Sequence, residues 1–233
     1  MGQLAAGIAH EVNNPLGTVL MLSHILLDEV PGGSDMREDL AMIVEHADRC
    51  KKIVAGLLHF ARQNKVELRT SDVRELVRRA VKALQKRDNV VVRVETDKVD
   101  TTAQFDRDQF LQVLTNLMNN ALAAMPNGGV LSIRTGGDAE RVWLAVSDTG
   151  VGIPPENLRK IFEPFFTTKQ PGQGTGLGLA ISYGIVKMHH GDIRVQSNAD
   201  PAAGPTGTTF TVSLPRRSPA QLAAGAAESA GAA

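Results

Sequence analysis

The sequence contains a single cysteine in 233 residues, and this scarcity excludes two common structural devices. One cysteine cannot form a disulfide within the chain or supply the thiolate set of a structural zinc site. Apolar runs of about 20 residues, the length that spans a bilayer, are also missing, and residues 1–15 lack the apolar segment of a secretory signal. We therefore expect a cytoplasmic location and no membrane contact by this part of the chain, whether or not a longer parent protein is membrane-anchored.

The chain also lacks net charge, because 25 Lys and Arg residues balance 25 Asp and Glu residues. General affinity for nucleic acid depends on an excess of basic side chains, so we expect no nucleic-acid partner. Hydrophobic residues make up 42% of the chain, which is enough for a packed core. The length indicates one large domain or two small ones.

The first sixty residues have the pattern of two helices joined by a tight turn. Apolar residues recur at three- and four-residue steps through residues 1–30, and Pro31-Gly32-Gly33 then stops the helix. The second helix repeats Leu40, Ala47 and Val54 at heptad spacing. Such a hairpin buries too little surface to be stable alone, so we expect two copies to pair into a four-helix bundle.

The rest of the chain mixes strands and helices without regular alternation, which favours a layered α/β sandwich over a Rossmann unit. The overall class is therefore α+β. We predict a helical hairpin over residues 1–64, a linker over 65–70, a sandwich domain over 71–215 and a flexible Ala/Gly/Ser-rich tail over 216–233.

His10 and Glu11 are adjacent on the first predicted helix. A neutral imidazole offers a lone pair for nucleophilic attack, and a neighbouring carboxylate stabilises the imidazolium that forms. The pair by itself is also compatible with a solvated surface histidine. A metalloprotease-type zinc motif is excluded, because Asn14 stands where the second histidine is required.

Asn116 and Asn120 lie four residues apart on an otherwise apolar helix. Two amides on one face must find partners or cost several kcal/mol. They are either buried, satisfied amides or oxygen ligands for Mg²⁺ beside a phosphate.

A glycine turn follows a predicted strand at Asp148-Thr149-Gly150-Val151-Gly152. The glycines allow close approach of a ligand, and Asp148 can accept a hydrogen bond from an exocyclic amine such as N6 of adenine. A plain turn is the other interpretation.

A second glycine cluster, from Gly172 to Leu179, precedes a helix that we predict from about Gly176 to Met188. Backbone N–H groups and the helix dipole form an anion site there, although a flexible loop without a ligand is also compatible. The cluster is neither a P-loop nor a dinucleotide fingerprint. The phenylalanine-rich segment before it indicates a movable lid anchored by Phe162, Phe165 and Phe166, with Lys169 near a phosphate.

Five motifs in order, spread over residues 1–215, resemble those of bacterial two-component sensor histidine kinases. The first is the H-box, His10–Leu16; the second is the N-box, Gln112–Ala121. The two glycine boxes are Asp148–Ile153 and Gly174–Leu179, with the phenylalanine box Phe162–Lys169 between them. The resemblance implies a dimerising, phosphotransferring hairpin followed by a Bergerat-type ATPase domain of the gyrase, Hsp90 and histidine kinase superfamily.

For the hairpin, the resemblance implies that His10 accepts the phosphoryl group from ATP and passes it to an aspartate on the receiver domain of a separate response regulator. Glu11 would serve as base or orienting acid. Asn14 would position water if the protein also dephosphorylates its partner.

For the second domain, the resemblance implies ATP and Mg²⁺ as ligands. Asn120 would be the main metal ligand, Asn116 would lie beside the phosphates, and Asp148 would bind adenine. The remaining implied nucleotide contacts are Gly150, Gly152, Phe162, Lys169, Gly174, Thr175, Gly176, Leu177, Gly178 and Thr208.

One position departs from the family pattern. Many relatives carry a basic residue three or four positions after the second N-box asparagine, where this chain has Ala123 and Ala124.

Two alternative functions stay open at this point. A superfamily ATPase clamp would turn over ATP without a phosphoprotein, and a nucleotide-binding dimerisation scaffold would do neither.

Overall fold

The computed structural model describes residues 2–62, 66–85, 87–169 and 174–217. Two compact units emerge. One combines the chain up to residue 65 with residues 163–181, and the other combines residues 66–162 with the chain from 182 onward.

The helical hairpin consists of α1 (Gly2–Glu29) and α2 (Asp35–Arg62). α1 continues through Pro15. Ser34 caps α2 by accepting a hydrogen bond from the N–H of Arg37 at 3.3 Å. The guanidinium of Arg37 turns back and donates to the carbonyls of Leu27 and Val30 at the end of α1. One side chain thus satisfies carbonyls that a helix C-terminus otherwise leaves without partners.

The heptad pattern of α2 is only partly buried within the single hairpin. Leu40 and Ala47 are 8% and 6% exposed, as expected for an intramolecular seam. Ile43 lies on the same helix and keeps 45% of its surface exposed. A set of apolar side chains on α1 is similarly exposed: Val12, Val19, Leu22, Ile25 and Leu26. The hairpin therefore presents apolar surface that its own two helices do not cover.

The second unit is built on a five-stranded mixed sheet in the order β2-β4-β5-β7-β6. Its strands are β2 (Val90–Thr96), β4 (Gly129–Gly137), β5 (Arg141–Asp148), β6 (Asp192–Asn198) and β7 (Gly207–Pro215). The β2–β4 pair is parallel and the other pairs are antiparallel. A separate two-stranded antiparallel ribbon joins β1 (Arg69–Asp72) to β3 (Thr102–Phe105).

In the described part of this unit, the helices are α3 (Val73–Ala83), α4 (Arg107–Ala124) and α5 (Gly178–Met188). Only the part of α5 from residue 182 onward belongs to this unit. α3 and α4 pack on each other and on the sheet. The core joins α4 to the sheet through side chains less than 2% exposed, among them Phe110, Leu114, Leu117, Ile133 and Leu131. Each buried aliphatic or aromatic side chain of this size contributes about 1.5–3 kcal/mol.

Arg216 ties the end of β7 to two loops. Its guanidinium donates to the carbonyls of Asp138, Thr102 and Asp100 and pairs with the Asp100 carboxylate at 3.1 Å. The predicted boundary at residue 215 falls one position before this arginine. The domain boundaries otherwise stay predictions, and residues 218–233 of the expected tail lie outside the described residues.

His189 joins the end of α5 to the start of α4. Its ring is 4% exposed and packs edge-on against Phe110, with 4.8 Å between centroids. Nε2 accepts a hydrogen bond from the backbone N–H of Asp106 at 3.0 Å, while Nδ1 lies 2.8 Å from the carbonyl of Ile185. Since a carbonyl can only accept, the ring is neutral and carries its proton on Nδ1. Burial lowers the pKa of His189.

The structure confirms the predicted fold class, a helical hairpin followed by an α/β sandwich. The β1–β3 ribbon and the short 3₁₀ turn at Pro201–Ala203 were not foreseen. Strand β1 reads Arg-Thr-Ser-Asp, which has no apolar alternation to reveal it. Among the described residues, no helix combines the length and apolarity needed to cross a membrane.

We predict that His189 makes folding stability fall in mild acid. The unfolded imidazole titrates near 6.5, and burial lowers the pKa of the folded one. Its contribution is therefore complete above that pH and declines as pH falls through 6.5 toward the folded pKa, by at most about 1.4 kcal/mol per pH unit. Urea unfolding between pH 7.5 and 5 should show this slope in the wild type and a smaller one in His189→Gln. His190→Gln is the matched control, because that neighbouring side chain is exposed. An unchanged slope in His189→Gln would contradict the prediction.

Candidate nucleotide site

The carboxylate of Asp148 stands at the end of β5, where Leu131 of β4 and Thr208 of β7 lie on either side. Oδ1 accepts a hydrogen bond from the N–H of Gly150 at 2.9 Å, and the backbone of Thr208 also hydrogen-bonds the carboxylate. Burial raises the pKa of Asp148, and the two backbone hydrogen bonds act in the opposite direction. An ionised carboxylate has about four acceptor positions, so these two bonds leave capacity for a ligand donor.

The first glycine turn is pinned to the end of α4. The N–H of Val151 donates to the carbonyl of Ala124 at 3.1 Å. A Cβ on Gly150 would lie 2.5 Å from the same carbonyl oxygen and 2.8 Å from the Ala124 methyl group. The turn therefore needs glycine at position 150. Its point of attachment, Ala124, lies four residues after Asn120 on the same helix.

Gly152 is required at the other end of the turn. Its φ is +74°, and a Cβ there would lie 2.0 Å from the carbonyl oxygen of Asn198 in β6. Both the left-handed backbone and the close approach exclude a side chain. The turn is thus clamped on both sides, by the end of α4 and by β6.

A hydroxyl network links this turn to β6 and β7. Ser197 Oγ donates to the carbonyl of Gly207 at 2.8 Å and accepts from the N–H of Ile153 at 2.7 Å. It also lies 2.9 Å from the hydroxyl of Thr208. Because the single Ser197 hydrogen is already used, Thr208 is the donor in that pair. Thr208 thus supports the turn through Ser197, and its backbone contacts Asp148.

Asn116 and Asn120 are half-buried and one turn apart on α4. Nδ2 of Asn116 lies 3.4 Å from Oγ of Ser182 on α5. Within the described residues, no three His, Cys, Asp or Glu side chains cluster closely enough to hold a metal ion. A divalent cation here would therefore depend on amide oxygens, water and ligand phosphates, and this oxygen donor set fits Mg²⁺.

Phe162 packs on the core of the second unit. Its ring centroid lies 5.3 Å from that of Tyr183 and 6.5 Å from that of Phe210. This agrees with its expected role as an anchor. Phe165 differs, because half of its surface is exposed.

The second glycine segment is held at its base by a backbone clasp. The N–H of Phe165 donates to the carbonyl of Gly176 at 3.0 Å, and both residues have left-handed φ angles, 69° and 66°. A Cβ on Gly176 would lie 2.4 Å from the Phe165 carbonyl carbon. Thr175, just before Gly176, accepts a hydrogen bond through Oγ1 from the N–H of Leu177 at 3.4 Å. Helix α5 then begins at Gly178.

Lys169 lies beside Gly174 in this segment, since a Cβ on Gly174 would be 3.2 Å from Cδ of the lysine. The lysine keeps an exposed surface, yet desolvation by the surrounding loop atoms lowers the pKa of its ammonium group. A nearby anion would favour the charged ammonium and counteract that shift.

The three hairpin residues of the expected site all belong to α1. The side chains of His10 and Glu11 lie outside what the structure describes. Asn14 is exposed on the helix.

Two family models match the chain. Residues 1–65 match the His Kinase A (phospho-acceptor) domain. Residues 105–218 match the Histidine kinase-, DNA gyrase B-, and HSP90-like ATPase.

Solved structures show the same relationship. The mycobacterial sensor histidine kinase MprB is 31% identical, with a TM-score of 0.57 over 65% of this chain and 99% of that chain. The chain belongs to the histidine kinase family. Full-length ShkA in complex with AMPPNP is 25% identical, with a TM-score of 0.72 over 94% of this chain and 46% of that chain. ThkA, solved in complex with the response regulator protein TrrA, is 26% identical, with a TM-score of 0.66 over 92% of this chain and 61% of that chain.

Curated histidine kinases are similar along nearly all of the chain. Sensor kinase CckA of Brucella abortus is 37% identical over 93% of this chain and 24% of its own length. Sensor histidine kinase ZraS of Escherichia coli K12 is 34% identical over 92% of this chain and 45% of its own length. The chain therefore spans a quarter to under half of these two relatives.

In this histidine kinase, the structure brings together Asp148, Gly150, Gly152 and Thr208 of the predicted site. Sequence reasoning missed Ser197 and Ser182, which hydrogen-bond this turn and Asn116 respectively. Neither serine belongs to a motif, and only the packing of β6 and α5 reveals its contact. His189 stands at a helix end, where a cation would favour the helix dipole, whereas the structure has a buried neutral ring there.

We predict that Gly152→Ala weakens nucleotide binding at least tenfold and lowers unfolding free energy by about 1–3 kcal/mol, because the left-handed backbone and Asn198 leave no room for a methyl group. Titration calorimetry with Mg-ADP and urea unfolding measure the two effects. Gly17→Ala is the matched control, since nothing lies within 4 Å of a Cβ at that helical position. Wild-type affinity in Gly152→Ala would refute the rigid-turn argument.

Proposed function

We propose that this chain is the phosphotransfer and ATP-binding part of a sensor histidine kinase. The observation that carries the proposal is the Asp148 turn, a half-buried carboxylate fixed by backbone N–H groups and pinned to the end of the asparagine-bearing helix. Family membership supports the same function, because the matched models are a phospho-acceptor domain and an ATPase domain.

Nucleotide recognition would begin at adenine. The carboxylate of Asp148 accepts from the exocyclic amine, which compensates for the burial that raises its pKa. Gly150 and Gly152 leave the wall of the turn free of side chains. The glycine segment from Gly174 to Gly178 and the start of α5 supply backbone N–H groups for the phosphates.

Charge neutralisation at the phosphates would rest on few protein cations. Ala123 and Ala124 stand where many relatives have basic residues. The side chain of Lys169 lies beside Gly174 of the second glycine segment. Asn120, with Asn116 beside it, would hold Mg²⁺ through amide oxygen. When bound, that ion would offset the negative charge of the β- and γ-phosphates.

Phosphoryl transfer would use the imidazole of His10 as nucleophile. A ring nitrogen attacks the γ-phosphorus, an N–P bond forms, and the bond to the β-phosphate oxygen breaks to release ADP. Glu11 accepts or stabilises the ring proton. Positioning and electrostatic stabilisation would supply most of the acceleration, as is general for phosphoryl transfer.

The next acceptor would be an aspartate on the receiver domain of a separate response regulator. ThkA was solved with such a partner, which supports this choice. The exposed amide of Asn14, one helical turn from His10, would orient a water molecule if the protein also dephosphorylates the regulator. ATP as substrate and a lone exposed cysteine favour a cytoplasmic location.

The active form would be a homodimer through the hairpin. Leu40 and Ala47 of the α2 heptad are buried within one hairpin, whereas Ile43 and the apolar side chains of α1 remain exposed. A second hairpin would cover this surface and complete a four-helix bundle. An ATPase clamp or a silent scaffold would not require His10 on such a hairpin.

We predict that incubation with γ-labelled ATP gives acid-labile label on the wild type and none on His10→Gln, because glutamine offers no nucleophilic ring nitrogen. His24→Gln is the matched control, an exposed histidine on the same helix. Acid-labile label that persists in His10→Gln would overturn the assignment. ATP turnover without a phosphoprotein would favour the clamp instead.

We predict that Asp148 discriminates adenine by its 6-amino group. The wild type should bind ATP about 10- to 150-fold more tightly than a purine triphosphate lacking that group, as expected for a hydrogen bond to a charged acceptor. Asp148→Asn should bind the two nucleotides nearly equally, measured by calorimetry. Asp138→Asn is the control, because Asp138 also accepts two backbone N–H bonds but lies in the turn before β5. Retained discrimination in Asp148→Asn would disprove the role.

A further inference from the structure

Ser182 is a buried hydroxyl in an apolar part of α5. Its residue is 0% exposed, and its neighbours Ile181, Ile185 and Val186 are at most 6% exposed. A hydroxyl at such a position costs about 1–3 kcal/mol unless it is hydrogen-bonded. An alanine would satisfy both helix propensity and packing better. The serine therefore needs a polar partner that explains its presence.

That partner includes the amide of Asn116 on the facing helix. Nδ2 of Asn116 lies 3.4 Å from Oγ of Ser182, which is a long hydrogen bond with the amide as donor. A serine oxygen can accept from the amide while its own hydrogen serves another acceptor. With the amide nitrogen held toward α5, the amide oxygen is directed away from it.

We propose that Ser182 is a positioning residue for nucleotide binding, which acts by fixing the amide orientation of Asn116. This inference rests on the proposed function, since Asn116 is taken there to lie beside Mg²⁺ and the phosphates. An asparagine amide has nearly isosteric ends that differ in polarity, so a rotated amide presents N–H where an oxygen is needed. Ser182 opposes that rotation without touching the nucleotide.

The test is a double-mutant cycle on the full chain, with Mg-ADP as probe and calorimetric affinity as readout. Ser182→Ala should weaken binding about three- to tenfold, the loss expected for one hydrogen bond. Asn116→Ala should weaken it at least as much. If Ser182 acts through Asn116, the double variant should bind like Asn116→Ala alone, whereas independent effects would multiply.

Further variants distinguish loss of the Ser182 hydrogen bond from a general loss of structure. Ser71→Ala removes another buried serine of the same unit and should leave affinity unchanged. Ser182→Thr retains the hydroxyl and should bind within about twofold of wild type, and urea unfolding checks that each variant is folded. If Ser182→Ala does not fold, the comparison of Ser182→Thr with Ser182→Cys, whose thiol is a weak acceptor, decides instead, with weaker binding expected for cysteine.

The outcomes separate this inference from the proposed function. Multiplicative losses in the double variant, or unchanged affinity in Ser182→Ala, would overturn the positioning role even if the wild type autophosphorylates. Failure of the wild type to bind Mg-ADP would instead count against the proposed nucleotide site itself.

Discussion

The proposed nucleotide site depends on the packing of one glycine turn against one helix end. Gly150 lies so close to the Ala124 carbonyl that no side chain fits between them, and Val151 donates to the same oxygen. This contact links the strand that ends in Asp148 to the helix that carries Asn120. In the proposed site, Asp148 would bind adenine and Asn120 would bind the metal ion beside the phosphates. The distance between these two residues must therefore be fixed by backbone contacts rather than by adaptable side chains.

The same arrangement explains why a stability cost is retained at Asp148. Burial raises the pKa of its carboxyl, so the ionised form is less favourable there than in water. Two backbone N–H groups, one in the glycine turn and one in β7, offset part of this penalty. The Ser197 and Thr208 hydroxyls connect the turn to β7. A ligand amine would offset more, so the penalty would favour adenine over a purine that lacks this amine.

The absence of net charge fits this local design. A site built from backbone N–H groups, amide oxygens and a metal ion needs no field from the whole protein to meet a polyphosphate. Ser182 on α5 and the neutral His189 at the end of that helix follow the same pattern. Both hydrogen-bond a neighbouring group without adding charge to the protein. Apolar surface is concentrated instead on the hairpin, where a second copy would cover it.

The sequence by itself determined the fold class and the residues of the motifs, because heptads, strand alternation and glycine turns depend on local geometry. It did not reveal the β1–β3 ribbon, because strand β1 is polar and has no apolar alternation. Nor did it reveal the contacts of Ser182, Ser197 and His189. Each of these three residues has a hydrogen-bond partner more than forty positions away in the sequence, and only packing brings such groups within hydrogen-bond distance. His189 shows the difference best, since its sequence position favours a cation and its buried partners require a neutral ring.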